Sequence, residues 1–419
     1  MTQGDKEPDG YIAVRSAELA AAIIAENGPP GEAAQAWGDV FSLLRALMRH
    51  EGQERLEALQ GFYAPLDPDA PAGRRDLGAP AFEAFEQALV EELTRGNFSE
   101  VDPESVRTAK TTTSLTGLTI KPSQAGIRRI RYFARGARGE SVTVKSWFGL
   151  RKREIQVEAM RDVVVLVGFK ADAEVSKEDA KALLRMRRGV RPGAALLKHF
   201  RNVAAPELVT LHPGARPSMR RRDQLWIAAP AIVAGAPVLI NLWPALTVLG
   251  AVLAAYFGAQ GAIEESELKR AIAAISGLVA VGAFVMRQRL KYEAQTLRYQ
   301  KRLADTVYFR NLANNAGAID LLAGAGAEQD VKEALLAYFV LHQAGRRLTH
   351  AEIDAGAEAF LRERFGLSVN FEIHDALSKL ERFGLVKRTD DAFEAVPPGD
   401  ALVRLDTAWD GLFHFSTRR

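Results

Sequence analysis

The spacing of hydrophobic residues predicts helices in the N-terminal part of the chain. Two stretches of residues 11–105 place hydrophobic side chains every three or four positions, which is the period of one helix face. The two sets are Val40, Phe41, Leu44, Leu47 and Met48, and Phe82, Phe85, Leu89 and Leu93. Prolines at positions 65, 68 and 71 favour a linker between them. We therefore predict an N-terminal helical region over residues 1–111.

From residue 114 the hydrophobic period changes towards two, which is the period of a strand. Val142 and Val144, for example, alternate with Thr143 and Lys145. Glycines at positions 126, 136, 139 and 149 favour turns between the segments. The pattern predicts a basic, small antiparallel sheet domain over residues 112–222, including a following helix. Its strands are expected at 115–120, 127–134, 141–147, 154–158 and 163–169.

The most apolar part of the chain comes next. Residues 224–263 include no Lys, Arg, Asp, Glu or His, and about 20 helical residues cross a hydrocarbon core of about 30 Å. Three prolines favour a broken helix over residues 225–242, whereas residues 245–261 and 271–286 each suit a crossing. The pattern predicts a transmembrane helical hairpin over residues 223–290. Three crossings are possible if residues 225–242 also span the membrane. The alternative to a transmembrane region is a helical hairpin buried in a soluble protein.

Basic residues flank this apolar region on both sides and form a candidate membrane collar. They are Arg220, Arg221 and Arg222 before it, and Arg287, Arg289 and Lys291 after it. Basic residues are enriched on the cytoplasmic side of membranes. We therefore expect a multi-pass membrane protein with both termini cytoplasmic.

Helical periodicity resumes after the second crossing and continues to about Leu322, which predicts a helical stalk over residues 291–324. Asn311, Asn314 and Asn315 have helical spacing and would share one side of this helix. Such a candidate polar cluster either binds a ligand or a partner's backbone, or satisfies buried polar groups between packed helices.

Residues 325–419 follow the order of a winged-helix-like domain. Helices are predicted over residues 331–343, 349–365 and 370–383, and a hairpin over residues 385–396. Thr349 and Glu352 have the spacing of a capping box at the start of the second helix.

The charges of this domain argue against DNA as its partner. The third helix, which would enter the major groove, carries three acids and only two bases, Lys379 and Arg382. Neutralising phosphates needs the opposite balance. We expect no nucleic acid partner and favour protein contacts or self-association for this domain.

Composition narrows the chemistry. The chain has 55 basic and 52 acidic residues and no cysteine, which excludes disulfides, thiolate metal sites and cysteine nucleophiles. The charges are unevenly distributed, with 11 bases against 20 acids in residues 1–126, but 11 bases against one acid in residues 181–222. The basic blocks predict attraction to anionic lipid head groups, or else act only as a topology signal.

Four segments carry a resemblance to a known family. They are SVTVKSWFGLRKREIQVE, YFRNLANNAGAIDLL, KEALLAYFVL and ALVRLDTAWDGLF. From about residue 37 to the C-terminus the chain resembles the transmembrane protein 143-like family, a domain of unknown function. The resemblance implies a membrane protein, and the lack of a transit peptide favours a bacterial member at the plasma membrane. It implies no catalytic or binding residue.

The sequence shows no motif for catalysis. It lacks a phosphate loop, a paired-histidine metal helix and a Gly-x-Ser-x-Gly elbow. Asp67 and Asp69 begin like a calcium loop, but Ala72 and Gly78 stand where glycine and a bidentate glutamate are needed. We predict no catalytic, cofactor-binding or metal-binding residue and no cofactor.

These features predict an α+β integral membrane protein that is not an enzyme and serves as an assembly or regulatory module. The expected partners are the lipid bilayer, through anionic head groups, and a protein or a second copy of the chain. The alternative is a membrane-surface enzyme or lipid-binding protein that holds phosphorylated head groups on the basic sheet domain.

Overall fold

We describe the protein from a computed structural model that divides into two compact units. The first unit comprises residues 1–106, 124–208 and 310–419, and the second comprises residues 107–123 and 209–309. The structure describes residues 9–26, 31–70, 78–102, 119–146, 151–171, 174–176, 180, 190–218, 247, 250, 254, 257–258 and 265–413.

Helices and strands both contribute to the fold. The helices are α1 (Ser16–Glu26), α2 (Glu32–Tyr63), α3 (Gly78–Arg95), α4 (Glu265–Arg310), α5 (Asn315–Ala344), α6 (His350–Phe365), α7 (Ile373–Arg382) and α8 (Pro398–Asp410), with a 3-10 helix at Ala205–Leu211. The strands are β1 (Ser99–Glu100), β2 (Thr119–Pro122), β3 (Ile127–Ser146), β4 (Arg151–Phe169), β5 (Ala195–Ala204), β6 (Ala215–Ser218), β7 (Asn311–Asn314), β8 (Leu348–Thr349), β9 (Val386–Thr389) and β10 (Ala392–Ala395).

The first unit is built on a five-stranded antiparallel sheet with the order β1-β3-β4-β5-β7. The predicted strands at 127–134 and 141–147 are one continuous strand, β3, because the predicted turn at Gly136 does not form. Gly136 takes a left-handed φ of 67° inside the strand, and the register continues from Arg135↔Asp162 to Ala137↔Met160. Glycine tolerates this conformation without strain.

One face of the sheet packs against α3 and the beginning of α5. The predicted face of α3 is confirmed, since Phe82, Phe85, Leu89 and Leu93 are at most 2% exposed. They meet Phe133, Val164, Leu166 and Leu197 of the sheet in one apolar core.

A second core of the first unit joins the N-terminal helices to the C-terminal elements. The predicted face of α2 is confirmed by the burial of Val40, Leu44, Leu47 and Met48. This face packs in one cluster with α5, α6, α7 and α8. The C-terminal elements and the N-terminal helices therefore share one core.

The C-terminal elements follow one another in the order α5, β8, α6 and α7, and end in the β9–β10 hairpin and α8. β10 lies between β8 and β9. The predicted capping box is confirmed, since the Thr349 side chain accepts from the Glu352 backbone N–H and the Glu352 side chain accepts from the Thr349 N–H. This reciprocal pair satisfies two N–H groups at the start of α6.

The long helix predicted to reach Leu322 is interrupted. Residues 311–314 form β7, which pairs with β5 at Lys198↔Asn314 and His199↔Ala313. Asn315 then takes a left-handed φ of 51° and α5 begins. Asparagine adopts this conformation more readily than most residues, so it suits the change of direction.

The second unit contains the β2–β6 pair and most of α4. Within the described part of the chain, no helix is long and apolar enough to cross a membrane. The predictions of an integral membrane protein, and of a multi-pass protein of the bacterial plasma membrane with both termini cytoplasmic, were therefore wrong. The fold class is α+β with a small antiparallel sheet.

The physical reason lies in the length of the second predicted crossing. Residues 271–286 fall within α4 between Arg270 and Arg287. Sixteen helical residues rise only about 24 Å, short of a hydrocarbon core of about 30 Å. For residues 271–286 to cross a membrane, the side chains of Lys269 and Arg287 would have to extend their charges to the membrane–water interface. The broken helix and most of the first predicted crossing, over residues 225–261, lie outside the described residues.

The contact between α3 and β4 gives a stability prediction. A Cβ at Gly168 would lie 2.5 Å from Cε2 of the buried Phe82 ring. We expect Gly168→Ala to lower the free energy of unfolding by about 1–3 kcal/mol, because a tightly packed ring has to move. Urea denaturation measures the change.

Gly139→Ala is the matched control on β3, since nothing lies within 4 Å of the position that its Cβ would take. It should change the free energy of unfolding by less than about 0.5 kcal/mol. Equal effects of the two substitutions would contradict the tight contact at Gly168.

Candidate functional site

Helix α5 buries a run of polar and charged residues at the centre of the first unit. Gln329, Asp330, Lys332 and Glu333 are each at most 3% exposed. Helices α2, α3 and α7 all pack against α5, so these side chains have neighbours in place of water. Burying a charge is costly unless it is paired. The partners of these residues therefore decide whether the helices can pack.

Lys379 of α7 neutralises the centre of this run. Its Nζ lies 2.5 Å from Asp330 Oδ1, 2.5 Å from Asp375 Oδ2 and 3.9 Å from Glu333 Oε2. Burial alone would lower the pKa of Lys379, but the acids around it, with Asp330 first, outweigh burial and raise it. The ammonium therefore stays charged and joins α7 to α5.

The same three acids form a group whose oxygens could hold a metal ion. The Lys379 ammonium already lies against two of these oxygens at ion-pair distance. A lysine in this position supplies the positive charge that a metal would otherwise bring. The group is therefore an internal ion cluster formed by the chain itself.

Arg55 extends the cluster to α2 and α3. Its Nη2 donates to Asp330 Oδ2 at 2.9 Å, and its Nε donates to Glu92 Oε2 at 3.1 Å. Burial is the main cause of the raised pKa of Glu92. We call the set that ties these helices together the ionic hub: Arg55, Glu92, Asp330, Glu333, Asp375 and Lys379.

Glu333 faces the other side of the hub, towards α3. Asn97 Nδ2 donates to Glu333 Oε1 at 2.9 Å and to the Gly10 carbonyl at 2.6 Å. Burial raises the pKa of Glu333 to about 8. At neutral pH this side chain therefore holds a proton, which reduces the negative charge beside Asp330.

The N-terminal segment, residues 9–16, lies across α5 and the sheet. Lys332 Nζ donates to the Ile12 carbonyl at 2.7 Å, and the Ser16 N–H donates to Glu328 Oε1 at 2.7 Å. Burial lowers the pKa of Lys332 to about 8. At the beginning of the segment, the Asp9 carboxylate accepts a hydrogen bond from the Gly136 N–H at 2.5 Å. The segment thus links α5 to β3.

A second buried group lies on the sheet itself. Asp162 of β4 accepts from Arg135 Nε at 3.1 Å and lies 3.3 Å from His199 Nε2. Burial alone would raise the pKa of Asp162, but His199 and Arg135 outweigh it and lower the pKa to about 2. The ring of Phe98 covers the Arg135 guanidinium at 4.3 Å. This group joins three neighbouring strands through one carboxylate.

A cavity of about 1100 Å³ opens beside β1 and β3, and we call it the edge groove. Its walls come from the N-terminal segment, the end of α3, β1, β3, β4 and the approach to α7. Five acids and two arginines line it: Asp9, Glu100, Asp102, Glu158 and Glu372, with Arg135 and Arg138. Arg135 is paired with Asp162, and Glu100 is paired with Arg131.

The structure separates the residues of the predicted polar cluster. Asn311 and Asn314 lie on β7, whereas Asn315 begins α5. Asn315 Nδ2 donates to Asp69 Oδ2 at 2.7 Å, and its Oδ1 accepts from the Leu197 N–H at 3.4 Å. Asn315 therefore holds the loop after α2 and strand β5, and does not share a helix face with the other two.

The predicted membrane collar falls on two different parts of the chain. Arg220, Arg221 and Arg222 lie outside the described residues. Arg287, Arg289 and Lys291 lie on α4 and are exposed, with Arg289 Nε 3.0 Å from Glu293 Oε1. Because no helix of the described residues is able to cross a membrane, α4 does not supply the crossing that these three residues were expected to flank.

Sequence reasoning missed the ionic hub, although one signal was present. The letters EQDVKE at residues 328–333 interrupt an otherwise apolar helix just before ALLAYFVL. Acids and a lysine in a helix that is apolar on the remaining sides indicate buried pairs. Arg55 and Lys379 complete the pairs. Arg55 lies on α2, far from α5 in the sequence, and Lys379 lies on α7, so their pairing with the acids of α5 is visible only in the folded structure.

Comparison with known proteins gives one finding. Residues 160–317 match the family described as "Protein of unknown function (DUF3754)". The matched stretch includes Asp162, His199 and β7, but none of α7. No curated protein matches the chain, and no solved structure matches it.

The ionic hub gives a prediction for Lys379. We expect Lys379→Met to lower the free energy of unfolding by about 3–5 kcal/mol, because Asp330 would remain buried with less neutralising charge. Urea denaturation followed by circular dichroism measures the loss. Lys387→Met, at an exposed position of β9, is the control and should have little effect. A loss at Lys379 no larger than at Lys387 would show that the hub does not hold the helices.

Glu333 gives a pH prediction. Its folded-state pKa of about 8 exceeds the ordinary value of about 4.3, so the folded chain keeps a proton that the unfolded chain loses. This contribution is complete at low pH and is lost as the pH rises to about 8. Glu333→Gln keeps an acceptor for Asn97 but does not titrate. Between pH about 4.5 and 8 the variant should gain more than about 1 kcal/mol relative to the native chain.

Urea denaturation of both proteins across this pH range measures the difference in unfolding free energy. Glu363→Gln, at an exposed position of α6, controls for the loss of one carboxylate far from the hub. Parallel pH curves for the native chain and Glu333→Gln would contradict the raised pKa.

Proposed function

We propose that this chain is a non-enzymatic assembly or regulatory module whose winged-helix-like elements contact protein, including a second copy of the chain. The observation that carries the proposal is the use of the two cations on α7. Lys379 pairs with Asp330 and Asp375 inside the hub. Arg382 Nη2 lies 2.7 Å from Glu51 Oε2 on α2.

Lys379 is buried, and Arg382, which is exposed, already faces Glu51, so α7 has no unpaired lysine or arginine to meet phosphate. Its exposed residues include His374, Ser378 and Glu381. A recognition helix that enters the major groove uses positive charge against the DNA backbone. The exposed side of α7 therefore suits contacts with protein better than contacts with nucleic acid.

The arginines of the sheet support the same choice over lipid head groups. Arg129 and Arg131 pair with Glu86, and Arg131 also pairs with Glu100. Arg135 pairs with Asp162. Because these guanidinium groups stabilise the fold, they are less available to phosphorylated head groups than the charge count suggested. Binding of anionic lipid is therefore the weaker candidate.

The buried acids also favour a structural role over an enzymatic one. Asp330 and Glu92 are held by Arg55, and Asp162 is held by Arg135. Each of these pairs joins separate elements of the first unit. The proposal includes membership of the transmembrane protein 143-like family and a bacterial origin. The match of residues 160–317 to a family of unknown function supports the first of these.

A paired experiment tests the proposal on the full chain. Sedimentation velocity over a concentration series should show self-association, and titration with labelled duplex DNA should show no binding at physiological ionic strength. The double variant Ser378→Lys, Glu381→Lys places two cations on the exposed side of α7. It should acquire salt-dependent DNA binding, because phosphate contacts release counterions.

Tight, salt-dependent DNA binding by the native chain would overturn the proposed role of α7. A single monomeric species at all concentrations would contradict association with a second copy. Circular dichroism of the double variant checks that its fold is intact.

A further inference from the structure

Two histidines meet where α6 and α7 begin. His350 is the first residue of α6, and His374 lies on the first turn of α7. The centres of their rings are 4.7 Å apart, and the ring planes are inclined by 38°. The His350 ring also meets the ring of Phe393 on β10 edge-on, with the ring centres 4.7 Å apart. His374 is exposed, so an ion in solution can reach the pair.

The elements that carry the two rings are both held in place by other contacts. The capping box of Thr349 and Glu352 fixes the start of α6. The pair between Lys379 and α5 fixes α7. Helices hold the residues of a site more precisely than loops do. The distance between the two imidazoles is therefore set by the fold.

This distance suits two ligands of one metal ion. Neutral imidazole is the commonest metal ligand in proteins and suits zinc, copper, iron and nickel. Two imidazoles that bind one Zn²⁺ through nitrogens at about 2.0–2.1 Å place their ring centres about 5 Å apart. In the described part of the chain, the ring nitrogens of His350 and His374 have contacts with neighbouring rings but no hydrogen-bond partner.

Asp354 offers a carboxylate on the same side of α6. It follows His350 by four residues, and side chains four residues apart share one helix face. This face points towards the approach to α7, because Glu358, one turn further on, accepts from the Phe371 N–H at 3.4 Å. The Oδ1 atom of Asp354 is buried, without a hydrogen-bond partner among the described residues. Burial, with the charge of Glu358, raises the pKa of Asp354, so a cation here would stabilise the carboxylate.

A carboxylate ligand also offsets an unfavourable field. Both imidazoles lie at helix N-termini, whose dipoles disfavour a cation. Within the described residues, only the acids of the hub place three ligating atoms within 4.8 Å of one another. The Asp354 side chain therefore has to turn towards the imidazoles when an ion binds. Its position allows this, since residues four apart on a helix have Cβ atoms about 5–6 Å from each other.

We propose that His350 and His374 bind a divalent transition-metal ion of the Zn²⁺ class, with Asp354 as the third ligand. Water completes the coordination, as it does where Zn²⁺ has three protein ligands. The bound ion joins the start of α6 to the start of α7. The site goes beyond the proposed contacts with protein and does not depend on them.

Isothermal titration of the full chain with ZnCl₂ tests the site. His350→Ala and His374→Ala should each weaken Zn²⁺ binding by at least about tenfold, because even the loss of a group that only orients a ligand costs about 10–100-fold. The control is His50→Ala on α2, where the ring faces Phe413 at 5.5 Å between ring centres. It should leave the affinity unchanged. Equal affinity of the native chain and both variants of the pair would overturn the site.

A second pair of variants tests the carboxylate. Asp354→Asn keeps the size of the side chain but removes its charge, and it should bind Zn²⁺ more weakly than Glu363→Gln, which removes an exposed carboxylate of the same helix. Equal affinity of these two variants would overturn the role of Asp354.

Urea denaturation provides a readout that does not rely on comparing affinities. An ion that binds only the folded chain stabilises it by mass action. ZnCl₂ should therefore raise the urea midpoint of the native chain and of His50→Ala, but not that of His374→Ala. Circular dichroism without metal checks that each variant is folded. An equal rise for His374→Ala and the native chain would place the bound ion elsewhere and overturn the inference.

Discussion

The ion pair between Lys379 and Asp330 is the interaction on which the first unit depends most. α5 lies at the centre of this unit, and charge buried on it must be matched by charge from its neighbours. Lys379 brings α7 to α5, while Arg55 brings α2 and, through Glu92, α3 to the same aspartate. One carboxylate therefore fixes how helices from both ends of the sequence are arranged. Apolar packing alone is less selective about register, because hydrophobic residues of similar volume can substitute for one another.

The N-terminal segment extends this arrangement from the helices to the sheet. Asn97 donates both to Glu333 of α5 and to the Gly10 carbonyl, so the hub and the segment are held by one amide. The segment then reaches β3 through Asp9. Tyr11 lies between these points, with its ring 4.4 Å from the Arg135 guanidinium. The charge of α5 and the edge of the sheet are thus connected through a few backbone groups, and a change in either affects the same short segment.

Local features of the fold could be predicted from the sequence, whereas features that depend on distant partners could not. The buried faces of α2 and α3 and the capping box at Thr349 follow from spacing within one turn or two, which the sequence shows directly. Asn311 and Asn314 fit a helical period but form a strand, because β5 offers them an edge to pair with. Gly136 resembles a turn residue, yet β4 continues on both sides of it and keeps it within a strand. The membrane prediction failed because it assigned spanning length to an uncharged stretch that is too short within α4. The hub was missed because its partners converge only in three dimensions.

Folding also changes what the charge count of the sequence means for recognition. Arg129, Arg131 and Arg135 on β3 face acids of the same unit, and the two cations of α7 are paired with α5 and α2. A sequence with more bases than acids in residues 127–161 therefore presents an edge groove whose lining has more acids than bases. Since an exposed ion pair contributes little attraction for a third charge, the paired arginines of β3 contribute less to recognition than the charge count of the sequence indicates.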